Sequence, residues 1–143
     1  MFSVDYATGA VTMHQGDTGS YTVTAHRKSG EPWTERDRML LTIWNGAEPL
    51  IQRLYRLDDA FNLGEGVVLI EFHNADTDRI PTGNYVMERR YIVDPIWDIE
   101  EGGAIPTGRC ENALTASAKI VDGPVVRTKA QTTFTLQTIY GEV

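Results

Sequence analysis

Three histidines are the residues of this sequence best suited to bind a metal or to transfer protons near neutral pH. His14, His26 and His73 lie far apart along the chain, at none of the spacings that bring two ligands to one zinc ion. No cysteine or carboxylate joins them in a metal-binding motif. The sequence therefore predicts solvated histidines on strand faces and no metal site.

Acidic residues offer a second kind of chemistry, since carboxylate oxygens are the ligands that calcium prefers. Asp76 and Asp78 have the spacing Asp-x-Asp, and further acids occur at Asp17, at Asp94 and between residues 98 and 101. The same residue types also close side-chain to backbone turns. We favour the interpretation as turn residues and expect no cofactor.

The sequence contains none of the usual arrangements for covalent catalysis. Cys110 has no histidine near it in sequence, so nothing supports a thiolate nucleophile. There is no Gly-x-Ser-x-Gly elbow and no glycine-rich phosphate loop before a helix. We therefore predict a protein without catalytic residues that is not an enzyme.

Composition narrows the classes of partner. The formal charge of -7 disfavours nucleic acid, because binding to the phosphate backbone needs a basic face. No apolar run approaches the roughly 20 residues of a membrane span. Residues 1–13 contain Asp5 and neither a basic nor an apolar region, so we expect no secretory signal unless one has been removed. A single cysteine cannot form an intramolecular disulfide, which suits assembly in a cytosol.

The periodicity of the chain is that of β-strands, with no amphipathic helix. Asn45-Gly46 predicts a hairpin whose loop is longer than two residues, because Ala47-Glu48-Pro49 follows. About eight strands, within a range of seven to nine, predict an all-β, immunoglobulin-like antiparallel β-sandwich that forms a single domain over residues 1–143. The predicted strands cover residues 11–15, 21–26, 39–44, 50–57, 67–73, 85–93, 114–120 and 126–140.

A polar corner joins two of these strands and is the strongest structural signal in the chain. Asp76 and Thr77 can close local turns, Pro81 fixes φ, and Gly83 permits a bend before the next strand. Tyr85 then occupies the place of the corner tyrosine of immunoglobulin-like sandwiches. We expect its ring to be buried and its hydroxyl to bond to nearby backbone.

Tryptophans supply the candidates for contact with a partner. Pro95 is expected to end a strand and to begin a long loop over residues 94–112. Trp97, with Ile96 and Ile99 beside it, and Trp33 in an earlier loop form the predicted interface. A loop tryptophan can equally stack on a sugar or cap the end of the sandwich. Trp44 is predicted to lie in the core.

Two motifs carry a family resemblance. The opening motif is residues 11–18, in which a short strand runs into Gln15-Gly16-Asp17-Thr18, and an alternating strand and the turn Ser29-Gly30-Glu31-Pro32 follow. The corner motif is residues 76–85, with Asp-Thr, Ile-Pro and Gly-x-Tyr. Together they resemble the N-terminal domain of the baseplate upper proteins of tailed phages, over about residues 10–93. The turn Asp122-Gly123 and the last strand are also similar to that family, whereas residues 94–112 are an insertion relative to it.

This resemblance implies an immunoglobulin-like domain with a structural role in a phage or prophage tail. It implies other tail or baseplate proteins as partners, several copies in the assembled particle, and a place in the virion tail after assembly in the host cytoplasm. It implies no enzymatic activity. The alternative left open by the loop tryptophans is a carbohydrate-binding or adhesion-type β-sandwich module.

Overall fold

The computed structural model describes residues 2–5, 7–60, 62–96, 107–122, 130–133 and 139–140. Within these ranges the chain forms eleven strands and one helix of four residues, α1 (Asn74–Thr77). The strands are β1 (Ser3–Val4), β2 (Val11–His14), β3 (Gly19–Thr24), β4 (His26–Arg27), β5 (Arg38–Asn45), β6 (Glu48–Arg56), β7 (Val67–Phe72), β8 (Gly83–Ile96), β9 (Thr107–Val121), β10 (Ala130–Thr133) and β11 (Ile139–Tyr140).

The strands form an all-β sandwich, as the alternating pattern predicted. One sheet has six strands in the order β1-β2-β9-β8-β5-β6, a second has the order β10-β3-β7, and β11 pairs with β4. The expectation of purely antiparallel sheets is wrong, because β2 pairs with β9, β10 with β3, and β11 with β4 in parallel. After β2 the chain crosses to the other sheet instead of returning as a hairpin, so β2 is free to lie beside β9.

The core lies between the two larger sheets. Side chains along β3 alternate between buried and half-buried, as expected for a strand with one face on a core. The middle of β5 is buried on both faces, which agrees with its continuous apolar sequence. The largest fully buried side chains are Tyr21, Tyr91, Phe72, Met13, Met39, Leu41, Ile43, Leu57, Ile70 and Ile80.

The β5–β6 hairpin is tighter than predicted. Asn45 pairs with Glu48, so the loop consists of Gly46 and Ala47 alone. Gly46 has a φ of +60°, the left-handed conformation found at the first position of Gly-first hairpin turns. A register shift between Ile43 and Trp44 takes up the extra residue that had suggested a longer loop.

The bounds predicted for the loop over residues 94–112 are wrong at both ends. β8 continues through Pro95 to Ile96, and β9 already begins at Thr107, so the two strands form one long hairpin. The ladder shifts register between Val93 and Ile96. A bulge of this kind leaves a residue unpaired, and so it accommodates a proline that cannot donate to the ladder. Residues 97–106 lie outside the described part of the chain.

The predicted strand over residues 126–140 is represented by β10 and β11. Both run parallel to their partners, β3 and β4, along one edge of the sandwich. The remaining residues of that predicted strand lie outside the described ranges.

Candidate interaction surface

The corner between β7 and β8 contains a short helix held by one carboxylate. α1 follows His73, whose backbone N–H donates to the Asp76 carboxylate at 2.9 Å. The same carboxylate lies 2.6 Å from the guanidinium of Arg53 on β6. Asp76 thus makes the local turn bond expected from the sequence, and it also ties the corner to the neighbouring sheet.

These contacts set the acidity of Asp76. Burial by itself raises the pKa of this carboxyl, but the hydrogen bonds from the His73 backbone and from Arg53, together with the Arg53 charge, outweigh it. The pKa of Asp76 therefore lies below its usual value. The ionised form of Asp76 is the one that makes these contacts.

Tyr85 closes the other side of the corner. Its ring is 8% exposed, and its hydroxyl donates to the carbonyl of Pro81 at 2.6 Å. This is the contact expected of a corner tyrosine. Gly83, the first residue of β8, is two residues before it, so the bond spans the entry into the strand and holds the chain in its bend.

The opening motif and the corner motif contact one another. The side-chain amide of Gln15 donates to the carbonyl of Ile80 at 2.9 Å. The buried hydroxyl of Thr77 donates to the carbonyl of Asp17, also at 2.9 Å. Asp17 in turn accepts a bond from the His14 backbone at 2.8 Å. Two segments about 60 residues apart in sequence are thereby locked together, a contact that neither motif predicts by itself.

Trp33 does not fit the interface role predicted for it. Its side chain is 5% exposed and belongs to the core. The indole N–H donates to the carbonyl of Ala25 at 2.9 Å, the ring stacks on Tyr91 at 5.8 Å between centroids, and Arg27 lies over it at 5.6 Å. Burial of a loop tryptophan depends on which strands come to lie beneath the loop, which sequence spacing does not reveal.

The other members of the predicted interface cannot be placed as contacts. Trp97 and Ile99 lie outside the described residues. Ile96 ends β8, where its backbone pairs with Thr107, and its side chain is likewise outside the described part. The interface predicted at this hairpin end therefore stays a prediction.

A buried arginine lies among tyrosines inside the sandwich. Arg89 is 5% exposed and donates to the hydroxyl of Tyr91 at 3.2 Å. Burial raises the pKa of the nearby Tyr21 well above its usual value, although the positive charge of Arg89 opposes this shift. The Tyr21 phenol therefore stays protonated at physiological pH. We assign this group to the core, since a neutral buried phenol is not a nucleophile.

An apolar groove opens between the outermost strands of the two sheets. It has a volume of about 470 Å³ and lies between β6 and β7, beside the loop that joins them. Two exposed leucines contribute to it, Leu63 at 46% and Leu69 at 38% exposure. The full lining is Tyr55, Arg56, Leu63, Val67, Val68, Leu69 and Glu71. We refer to it as the β6–β7 groove.

A second apolar area lies on the outer face of the six-stranded sheet. Trp44 pairs in register with Val86 on β8, which is 47% exposed. Leu54 on β6 is 37% exposed. The prediction that Trp44 lies in the core is wrong, because Trp44 is half-buried near the end of β5, beyond the stretch that is buried on both faces.

Within the described ranges, no group of three or more histidine, cysteine, aspartate or glutamate side chains is placed to hold a metal ion. No helix in the same ranges has the length and apolar character needed to cross a membrane. The features of this part of the chain that suit a binding role are the β6–β7 groove and the outer face around Trp44.

Comparison with known proteins does not assign this chain to a family. No protein-family model matches the chain, and no curated protein matches it at a significant level.

Proposed function

We propose that this chain is a non-enzymatic structural or adaptor protein of a phage or prophage tail, in which an immunoglobulin-like domain binds neighbouring baseplate proteins. The proposal rests on the resemblance of the opening motif and the corner motif to the N-terminal domain of baseplate upper proteins. It places the protein in the virion tail after assembly in a bacterial cytoplasm.

The observation that carries the proposal is the contact between the two motifs. Gln15 and Asp17 from the opening motif bond to Ile80 and Thr77 from the corner motif. Short motifs of turn residues recur by chance in many β-proteins. Two motifs that also interlock in space are better explained as parts of one inherited structural unit, and this supports the resemblance.

Strand order supports the immunoglobulin-like part of the proposal. Variable-type immunoglobulin domains place strands G, F, C and C′ in one sheet opposite B and E, with the corner tyrosine near the start of F. Here β9-β8-β5-β6 lie in one sheet and β3-β7 in the other. Tyr85 lies near the start of β8, directly after the corner that follows β7.

The alternative, a carbohydrate-binding or adhesion-type module, loses part of its support. The alternative was based on two loop tryptophans that could stack on sugar rings. Trp33 is buried and its indole N–H is already bonded, so it cannot present a ring face to a glycan. Trp97 alone then carries that alternative.

The test is to induce prophage in the source strain and purify particles on a density gradient. Peptides of this chain should occur in the particle fraction at a level comparable to that of tail proteins. An abundant host cytosolic protein, measured in the same fractions, controls for contamination. If the chain occurs only in the soluble fraction of a strain that does release particles, the tail assignment is overturned.

A deletion of the gene gives a second readout. We expect particles without complete baseplates in negative-stain images, and restoration by the wild-type gene. Normal, infective particles from the deletion strain would contradict an essential structural role.

A further inference from the structure

We propose that the β6–β7 groove is a binding site for a small amphipathic cation, whose apolar body lies against Leu63 and Leu69 and whose ammonium group lies at Glu71. The inference does not rest on a role in phage tails. It concerns the isolated protein and is tested without particles.

The walls of the groove contain apolar side chains that are still exposed to water. Leu63 is 46% exposed and Leu69 is 38% exposed. Val67, Leu69 and Glu71 alternate with buried residues along β7, so these three side chains lie on one face of the strand. The volume of about 470 Å³ lies within the range of small-molecule sites. The groove therefore suits the apolar body of a small ligand in both size and polarity.

The positive charges at the groove already have carboxylate partners. Arg56 belongs to the lining, and its guanidinium bonds to both carboxylate oxygens of Asp58, at 2.9 and 2.6 Å. Arg53 reaches the Glu71 carbonyl from β6, and its guanidinium lies 2.6 Å from the Asp76 carboxylate. Both guanidinium charges are thus compensated within the protein, so the groove does not favour an anionic ligand.

The carboxylate of Glu71 is in a different situation. Its side chain is 50% exposed, and it accepts no hydrogen bond from any described residue. Its ion-pair contact is His73 Nε2 at 3.9 Å, which is charged only when the imidazole is protonated. Tyr55 adds no charge to the lining, because burial raises the pKa of its phenol, although Arg53 opposes this shift. The lining thus presents one accessible and uncompensated charge, which is negative.

The charges around the groove have the same sign as the charge of the whole chain. Residues 53–71, which contain the whole lining, have four carboxylates and two guanidinium groups, and the chain has a formal charge of -7. Such a field attracts cations and repels anions. Glu71 lies four residues from Val67, about 13 Å along an extended strand. A ligand with its cationic group at Glu71 can therefore extend its apolar chain over Leu69 toward Val67.

Octylammonium is the probe that tests the proposal. It is titrated below its critical micelle concentration into isotopically labelled protein at low ionic strength, and binding is followed by two-dimensional NMR. The methyl signals of Leu63 and Leu69 should shift along one saturable curve, with a Kd between about 0.1 and 10 mM. Leu54 is 37% exposed on the outer face of the six-stranded sheet, and its methyl signals should not shift.

Two ligands and two variants test the role of charge. Octylammonium should bind about two- to fivefold more tightly than 1-octanol, which has the same chain without the charge, and octanoate should bind most weakly. Glu71→Gln should remove the preference for octylammonium over 1-octanol. Glu48→Gln is the matched control, because it changes the net charge equally but replaces an exposed carboxylate at the start of β6, outside the lining. This variant should keep the preference.

A second pair of variants tests the apolar wall. Leu69→Ala should raise the Kd for octylammonium at least about fourfold, since it removes apolar contact with the chain, whereas Leu54→Ala should leave the Kd unchanged. The proposal is overturned if the Leu63 and Leu69 signals show no saturable shift up to about 10 mM probe. It is also overturned if 1-octanol binds as tightly as octylammonium, or if Glu48→Gln weakens binding as much as Glu71→Gln.

Discussion

The contact between Thr77 and Asp17 can be removed almost without changing the shape of the core, which makes it the sharpest test of the interlocked corner. Thr77→Val replaces the hydroxyl by a methyl group of similar volume. Thr77 is fully buried, and its hydroxyl bonds to a carbonyl of the opening motif at 2.9 Å. The variant therefore removes one non-local hydrogen bond and creates no cavity.

The expected loss follows from the burial of both partners. Removing the donor from a buried carbonyl costs about 1–3 kcal/mol, and the added methyl group returns up to about 0.8 kcal/mol of burial. The free energy of unfolding should thus fall by about 1–2 kcal/mol. For 143 residues the entropy of unfolding is about 0.3 kcal/mol/K, so the midpoint of thermal unfolding should fall by about 3–7 °C.

Urea unfolding followed by tryptophan fluorescence measures this difference. Thr82→Val is the matched control, because Thr82 is an exposed residue of the same corner. It should change the free energy of unfolding by less than about 0.5 kcal/mol. Equal stabilities of Thr77→Val and Thr82→Val, with unchanged denaturant slopes, would refute the argument that this bond joins the two motifs.

Three further substitutions test other parts of the site. Tyr85→Phe removes the bond to Pro81 and should cost about 1 kcal/mol in urea unfolding; wild-type stability would show that the corner does not need it. Asp76→Asn should lower the free energy of unfolding at pH 7. This difference from wild type should shrink below about pH 4, because a carboxyl with a lowered pKa loses its contribution to stability as it is protonated. A difference in the free energy of unfolding that does not depend on pH contradicts this. Trp33→Ala should lower the free energy of unfolding by about 3–5 kcal/mol, whereas a surface contact residue would leave it nearly unchanged.

Sequence reasoning succeeded where the determinant is local. The alternation of side chains along a strand depends only on the backbone geometry, so β3 and the buried β5 were predicted in type and nearly in extent. The bond from Tyr85 to Pro81 spans four residues. A proline, a glycine and a tyrosine at that spacing carry enough information to predict it.

Sequence reasoning failed where the outcome depends on a distant partner. Pro95 was expected to end a strand, but β9 pairs with β8 on both sides of it and the ladder absorbs the proline in a bulge. Trp33 was a candidate for contact with a partner because it lies in a loop, yet its ring stacks on Tyr91 and its indole N–H is bonded to the carbonyl of Ala25. Parallel pairing of β2 with β9 joins segments about 107 positions apart (Val11 with Ala118), and no local pattern specifies that choice.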